Sequence, residues 1–316
     1  MKEIILSQLK IRIMDSQHTS STKLDVYELV TNRIIALLEA GTVPWQKPWA
    51  DAGVPMNLMS KRPYRGINLW LLLSLNYERN LFLTWDQLKK IGGSVNKNEH
   101  GHIVVFWKSV KKQPEESEGD KAKTVPMLRY YKVFNIAQCR DIPKELIPEL
   151  LTENVDPILE CEAIINTMPD SPLLIFTGKK AYYDIEKDHV VLPSLKKFKT
   201  SESYYSTLFH ELVHSTGAEK RLGRKTITEM AEFGSEPYSM EELIAELGAS
   251  YLNSYTGILD KEIESSVAYI SGWLDKFRGD KRFIISASAQ AQKAVDLILN
   301  RQESESKDEV EESMVS

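Results

Sequence analysis

The sequence has little cysteine and no long hydrophobic run. Its two cysteines, Cys139 and Cys161, are too few for a disulfide framework and are not spaced as metal ligands. No apolar segment approaches the roughly 18–20 residues that a membrane-spanning helix requires, and the N-terminal apolar stretch is too short for the core of a secretion signal. These absences predict a protein of the reducing cytoplasm that does not enter a membrane.

A strong overall charge is also absent, but the net charge of −5 conceals an asymmetry. Residues 21–140 contain 18 lysines and arginines against 11 aspartates and glutamates, whereas residues 141–316 contain 19 against 32. A basic segment of this kind is expected to meet an anionic partner, although charge also varies between domains without functional meaning.

Hydrophobic periodicity predicts an α+β protein with two domains, which a chain of 316 residues can hold. An amphipathic helix is expected from about Leu24 until Gly41, and strands are expected at 102–110 and 129–136. The predicted organisation is a flexible tail at 1–20, a small α+β domain at 21–142, a linker at 143–155, a second domain at 156–300 and an acidic tail at 301–316.

The motif His-Glu-Leu-Val-His at 210–214 is the strongest chemical signal. On a helix, His210 and His214 lie on one face and can bind one ion. Glu211 can then reach a water on that ion, take its proton and later pass it to a leaving amine. The motif predicts one Zn²⁺ per chain and a metal-dependent hydrolase, with Glu211 as the catalytic base.

A catalytic zinc needs a third protein ligand. The metzincin subclass is excluded, because Lys220 occupies the position of its third histidine. Glu242 and Glu246 lie one helical turn apart, so one can bind the metal while the other supports a ligand histidine. The pattern Glu-x-x-Ala-x-x-x-Ala resembles the ligand helix of gluzincin-type peptidases, which favours Glu242 as the ligand and leaves Glu246 as its support or as the alternative ligand.

Aromatic and basic side chains alternate in the front of the chain. Stacking aromatics and cations together are typical of a single-stranded nucleic-acid groove, although tryptophans of a small domain also form its core. The DNA-binding candidates are Trp45, Lys47, Trp49, Arg62, Tyr64, Arg65, Asn68, Trp85, Lys97, Trp107 and Lys108.

The segments YELVTNRIIALLEAGTVPWQKPW, NLMSKRPYRGIN, LTWDQLKKIGGSV, VVFWK and KVFNIAQ together resemble the N-terminal domain of ArdC-type antirestriction proteins, which also occurs in some conjugative-plasmid primases. The segments AYYDIEKDHVVLP, YYSTLFHELVHSTGAEKRLGR and EELIAELGASYL resemble the zincin-like metallopeptidase domain that accompanies it. The resemblance covers about residues 23–300. It implies binding of single-stranded DNA in front, a zinc site behind, and protection of plasmid or phage DNA from host restriction.

One turn departs from the family pattern. After Gly92-Gly93 the family has a turn of the type VRKGE, whereas this chain has Asn96 in place of the arginine and Asn98 in place of the glycine. We expect weaker phosphate contact from this turn, although Asn98 can adopt a left-handed conformation.

The leading hypothesis is a cytoplasmic antirestriction protein of a mobile element that binds single-stranded DNA and carries a zinc-dependent peptidase domain. It would act by covering the entering DNA, by cleaving a host restriction component, or by both. Two alternatives stay open. One is a DNA-binding accessory factor for replication or conjugative transfer whose zinc is not proteolytic, and the other is a processing peptidase or toxin.

Overall fold

A computed structural model of the protein describes residues 25–46, 53–112, 123–148, 156–229, 234–258 and 267–301. We call 25–148 the front region and 156–301 the rear region. Both regions contain helices and strands, which confirms the predicted mixed α and β character. The predicted tails at 1–20 and 301–316 lie outside the described residues, apart from Arg301.

The front region is built on a four-stranded sheet with helices packed against it. Its elements are α1 (Val26–Glu39), β1 (Met56–Asn57), α2 (Ile67–Leu73), β2 (Leu81–Thr84), α3 (Trp85–Lys90), β3 (Ser94–Val95), β4 (His102–Lys112), β5 (Lys123–Asn135) and β6 (Cys139–Arg140). The strand order is β1-β2-β5-β4, with β1 parallel to β2 and the other pairs antiparallel, while β3 and β6 form a separate pair.

Local capping explains where the front helices begin. The Asp25 side chain accepts a hydrogen bond of 3.0 Å from the backbone N–H of Tyr27 at the start of α1, which satisfies one of the free donors of a helix N-terminus. Thr84 and Gln87 form a reciprocal capping box before α3. α1 ends at Glu39, close to the left-handed Gly41 that was predicted to stop it.

The rear region combines a three-stranded sheet with a bundle of longer helices. Its elements are α4 (Pro157–Thr167), β7 (Leu173–Phe176), β8 (Tyr182–Asp184), β9 (His189–Leu192), α5 (Ser201–Ser215), α6 (Lys225–Thr228), α7 (Glu236–Thr256), α8 (Val267–Gly279) and α9 (Phe283–Ile298). The strand order is β7-β9-β8, with β7 parallel and β8 antiparallel to the central β9. None of the described helices combines the length and apolar character needed to cross a membrane.

The two regions share one hydrophobic core. Ile34 of α1, Trp45 and Val105 of β4 belong to the same buried cluster as Phe209 of α5 and Ile284 of α9. The predicted boundary at 143–155 therefore separates two stretches of sequence that are packed together in space. Part of that predicted linker is itself anchored, because the Leu146 carbonyl accepts a 2.8 Å hydrogen bond from Lys61 Nζ.

Polar contacts also join the two regions. Three of them run from α1 or the loop before α2 to α8, α9 or the turn between them: Thr31 Oγ1 to the Lys281 carbonyl at 2.7 Å, the Gly66 N–H to Gln292 Oε1 at 3.0 Å, and Arg278 Nη2 to Glu39 Oε1 at 2.7 Å. Burial of apolar surface supplies the main association free energy between such elements, and these bonds fix their register.

Candidate metal centre

Helix α5 carries the His-Glu-Leu-Val-His motif through the core of the rear region. Thr200 caps it by accepting a 3.1 Å hydrogen bond from the Ser203 N–H. The face formed by Leu208, Leu212 and their neighbours is fully buried, so the helix has little freedom to turn. This burial holds the opposite face, with the two histidines, toward α7.

Three side chains converge between α5 and α7. His210 Nε2 lies 3.1 Å from His214 Nε2, and the Glu242 carboxylate oxygens lie 3.6 Å from His210 Nε2 and 3.8 Å from His214 Nε2. Ligands about 2.0–2.1 Å from a tetrahedral ion stand roughly 3.3 Å apart. Two imidazoles and one carboxylate at these separations fit one divalent ion.

Two glycines allow the close approach of helices that builds this cluster. A Cβ atom on Gly248 of α7 would stand 2.7 Å from Val213 Cγ2 of α5. A Cβ atom on Gly217, just after α5, would stand 2.7 Å from Ile227 Cγ1 and 3.0 Å from Arg224 Nη2. Contacts this short do not occur without displacement, so both positions require glycine for the observed packing.

A buried carboxylate supports His214 from behind. His214 Nδ1 lies 3.2 Å from Glu241 Oε1, which leaves Nε2 directed at the cluster. Arg224 donates to both oxygens of Glu241, at 3.0 and 2.5 Å, and Thr226 Oγ1 donates at 2.5 Å. Burial opposes ionisation, but the bonds from His214 and Arg224 outweigh it and lower the pKa of Glu241 to about 2.

Sequence reasoning did not find Glu241 or Arg224. It assigned the support of a ligand histidine to Glu246, whereas in the structure the carboxylate hydrogen-bonded to a histidine is Glu241. One signal in the sequence could have found Glu241, namely that it is adjacent to Glu242. Neighbouring helical positions project about 100° apart, so two adjacent carboxylates can contact the same histidine from different sides.

Glu211 lies beside the cluster and is 8% exposed. Burial raises its pKa, and the two histidines and a hydrogen bond from the Tyr183 N–H act in the opposite direction. The Tyr183 N–H comes from β8, the edge strand next to α5. The phenol of Tyr238, at the start of α7, bonds to Glu242; sequence reasoning did not single out Tyr238 either.

Glu246 is held from the front region. Its Oε1 accepts a 3.1 Å hydrogen bond from the indole N–H of Trp45, which also lies 3.2 Å from the Tyr269 hydroxyl. Burial raises the pKa of Glu246 to about 7, and the Trp45 bond opposes that rise. Trp45 itself is 1% exposed, so the prediction that it stacks on DNA is wrong.

Three further residues predicted to bind DNA have partners within the protein. Tyr64 is buried against Phe82 in a second apolar cluster. Arg65 pairs with Asp296 of α9. The Asn68 amide bonds both the N–H and the carbonyl of Val105, each at 2.7 Å. It thereby occupies the free edge of β4 as a neighbouring strand would.

The remaining predicted DNA-binding residues are exposed or lie outside the described residues. Lys47 and Trp49 are in the second group. Trp85 and Trp107 are 46% and 51% exposed, and each is steadied by one aromatic neighbour: the Trp85 ring is 6.0 Å from Phe134, and the Trp107 ring is 6.2 Å from Tyr27. The other members of the first group are Arg62, Lys97 and Lys108.

The turn that departs from the family pattern keeps its backbone shape. Asn98 has φ of 69°, the left-handed conformation expected for an asparagine in place of glycine. The Glu99 N–H closes the turn by donating to the Asn96 carbonyl at 3.2 Å.

Comparison with known proteins assigns both regions. Residues 24–134 match the family model of the N-terminal domain of the anti-restriction factor ArdC, and residues 162–290 match that of a zincin-like metallopeptidase. The zincin-like match implies a bound metal, for which the cluster of His210, His214 and Glu242 is suited.

Solved structures agree with these matches. The crystal structures of the antirestriction ArdC protein from plasmid R388, metal-free and Mn(II)-bound, are 33% identical to this chain with a TM-score of 0.70. The comparison covers 88% of this chain and 100% and 98% of those chains, respectively.

Sequence relatives differ in length. The uncharacterized protein y4eC of Sinorhizobium fredii is 31% identical, and the match covers 94% of this chain and 99% of the relative. Two DNA primases TraC of Escherichia coli are 30% and 29% identical over 86% and 89% of this chain, but this chain spans 20% and 27% of their length.

Proposed function

Because this chain belongs to the family of ArdC antirestriction proteins with a zincin-like domain, we propose that it protects the DNA of a mobile element from host restriction. The front region binds single-stranded DNA, and the rear region holds one Zn²⁺ and acts as a peptidase in the cytoplasm. The observation that carries the proposal is the convergence of two imidazoles and a carboxylate beside a buried glutamate.

His210, His214 and Glu242 are the proposed ligands. A bound zinc ion supplies Lewis-acid polarisation of a carbonyl oxygen and makes a water more acidic. The donor set of two nitrogens and one oxygen suits zinc and also accepts manganese, which is consistent with the Mn(II)-bound relative.

Glu211 has the position and environment of a general base. It projects beside the two histidines from the same helix, and burial raises its pKa toward the range in which a carboxylate exchanges protons efficiently. In peptide hydrolysis Glu211 takes a proton from the attacking water and delivers it to the departing amine. Tyr238, whose phenol bonds to Glu242, holds this proposed ligand in place from the start of α7.

One face of the front sheet is the proposed DNA surface. The β4–β5 register pairs Trp107 with Leu128, so Trp107 shares a face with Tyr130, Lys132 and Phe134 of β5, while Val105 and Leu128 on that same face are buried in the core. Trp85 continues the row beside Phe134, with the Lys89 ammonium 5.8 Å from its ring centroid. The exposed rings of Trp85, Trp107 and Tyr130, together with the exposed Lys89 and Lys132, suit stacked bases and a phosphate backbone.

The deciding experiment is plasmid transfer into restricting and non-restricting hosts. The wild type is compared with Glu211→Gln, which keeps size and metal ligands but removes the base. Glu202→Gln, on the first turn of the same helix and away from the motif, is the matched control. If the wild type and Glu202→Gln protect the plasmid from restriction but Glu211→Gln does not, peptide hydrolysis is required for protection. Equal protection by all three means that covering the DNA suffices, and absence of protection by the wild type refutes the antirestriction role.

A second candidate function is suggested by the relatives named DNA primase TraC. In it, the chain is a DNA-binding accessory factor for replication or conjugative transfer, and the metal has no proteolytic task. The same assay separates the two, because an accessory factor changes transfer into both hosts equally. A processing peptidase or toxin is the third reading, and Glu211→Gln abolishes its action without any dependence on restriction.

A further inference from the structure

Trp45 of the front region contacts Glu246, a carboxyl residue next to the metal centre. Trp45 is 201 positions before Glu246 in the chain, yet its indole Nε1 is 3.1 Å from Glu246 Oε1. This is a side-chain contact from the ArdC-type region into the zincin-like region. The other polar contacts between the regions described above run to α8, α9 and the turn between them, away from the histidines.

The Trp45 ring is fixed in one orientation by its surroundings. It follows Pro44 in a short helical turn, is 1% exposed, and packs edge-on against Phe277 of α8 with ring centroids 6.3 Å apart. The Tyr269 hydroxyl lies 3.2 Å from the same indole nitrogen. A rigid donor of this kind loses little conformational entropy when it binds an acceptor, so it holds the Glu246 carboxyl in a defined place.

Glu246 in turn lies close to the proposed ligands. It is one helical turn beyond Glu242 on the same face of α7, and it lies close enough to interact electrostatically with His210 and Glu242. His214 has a dedicated partner in Glu241, whereas Glu211 and Glu246 are the carboxyls near His210 besides the proposed ligand Glu242. Acidic groups behind a ligand histidine increase its affinity for the ion and fix its ring.

We propose that Trp45 is a positioning residue of the metal centre, acting through Glu246. The proposal deepens the proposed function above, since it concerns how the same site binds its ion. It makes the front region a structural part of the metal centre rather than a separate DNA-binding attachment.

The test is zinc affinity of the purified full-length chain, measured by competition with a chromophoric chelator. Trp45→Phe keeps an aromatic ring, although a smaller one, and removes the N–H. We expect zinc binding to weaken about 10-fold, the lower end of the range for lost groups behind a ligand. Trp70→Phe makes the same change at another buried tryptophan of the same cluster, and it is expected to leave the affinity unchanged. The visible absorption of the Co(II)-substituted protein is expected to change for Trp45→Phe alone.

Unfolding of the metal-free proteins separates a positioning role from a general loss of stability. If Trp45→Phe and Trp70→Phe lower the metal-free Tm equally but only the first weakens zinc binding, packing is not the cause. If both weaken zinc binding in proportion to the loss of Tm, the proposal is overturned.

A double-mutant cycle tests the route through Glu246. Glu246→Gln alone is expected to weaken zinc binding, and adding Trp45→Phe to it is expected to have little further effect. Independent, multiplying effects would show that Trp45 does not act through Glu246. Failure of the wild type to bind zinc at all would refute the metal assignment itself, which is a different result from an unchanged affinity in Trp45→Phe.

Discussion

At the scale of single residues, the metal cluster depends on carboxylates that have different partners on one helix. Glu241 is bonded to a histidine and an arginine, Glu242 faces the two imidazoles, and Glu246 is bonded to a tryptophan. Their roles follow from their neighbours and not from their residue type. Substitutions at the three positions therefore have distinct consequences.

Replacing Glu242 is expected to be the most damaging of these changes. Glu242→Ala removes a proposed metal ligand, whereas Glu246→Ala removes a carboxyl group that lies behind a ligand. The first variant should therefore lose more zinc than the second. Metal content after dialysis, measured by elemental analysis, checks the ranking. The reverse order would make Glu246 the ligand.

A pH-dependent contribution to stability is expected from Asp188. Burial opposes its ionisation, but hydrogen bonds from Arg221, Lys220 and Tyr183 outweigh burial and hold its pKa well below the usual range. A folded-state pKa below the unfolded value near ~3.9 gives stability that is present above that pH and is lost as pH falls through the folded pKa.

The measurement is the free energy of unfolding of Asp188→Asn against wild type from pH 7 to acid. We expect a loss of about 1–3 kcal/mol at pH 7, and the difference should shrink below pH ~4. Asp141→Asn, at a carboxylate that is 70% exposed, should change stability by less than ~0.5 kcal/mol. A difference independent of pH would contradict the ion-pair explanation.

At the scale of elements, the spacing of α5 and α7 determines whether the cluster can form. Gly248→Ala places a methyl group 2.7 Å from Val213 Cγ2, so the two helices must separate. We expect a loss of about 1–3 kcal/mol in unfolding free energy and weaker zinc binding. Gly272→Ala in α8 is the matched control, because nothing lies within 4 Å of its added Cβ. It should raise stability by about 0.5–1 kcal/mol, and weakened zinc binding there would count against the explanation.

The exposed side chains of Trp85 and Trp107 are expected to bind single-stranded DNA. Trp85→Ala and Trp107→Ala should each cost about 1–3 kcal/mol of binding free energy, with affinity for single strands falling as salt rises. Fluorescence anisotropy with a labelled oligonucleotide measures both effects. Leu159→Ala, at an exposed apolar residue of the rear region, should leave binding unchanged. Equal affinity of the wild type for single and double strands would contradict the stacking argument.

Helical periodicity predicted most elements well. The helix expected from about Leu24 until Gly41 is α1, and the strands expected at 102–110 and 129–136 correspond to β4 and β5. The spacing of His210 and His214 locates the metal cluster, because four residues bring side chains to one helical face. Helical spacing cannot predict that Trp45 donates to Glu246, because the two residues are 201 positions apart in the chain. It also cannot distinguish a buried tryptophan from an exposed one in a segment where aromatic and basic residues alternate.

At the scale of the whole molecule, the front and rear regions pack together around one hydrophobic core. The cluster that contains Phe209 and Ile284 of the rear region also contains Ile34, Trp45 and Val105 of the front region. Sequence reasoning treats them as domains on either side of a linker, because charge and motifs change there. Packing between the two regions produces no change of charge or motif that could be seen in the sequence.

An isolated rear region is expected to fold poorly. A chain of residues 156–301 exposes the apolar surface that α1, Trp45 and α2 cover, and each fully buried side chain so exposed costs about 1.5–3 kcal/mol. Circular dichroism and thermal unfolding with zinc present measure this. A cooperative transition at the full-length Tm would contradict the shared core.

The shared core also limits how such proteins diversify. Consider one crossover in the stretch that encodes residues 143–155, which exchanges the front region for that of a distant relative. The hybrid protein then has a foreign residue opposite Asp296 and another opposite Glu246. Hybrids of that kind begin with buried carboxylates that have each lost a partner from the front region. We therefore expect lineages to inherit the two regions as a matched pair, even where the pair is carried into a much longer protein.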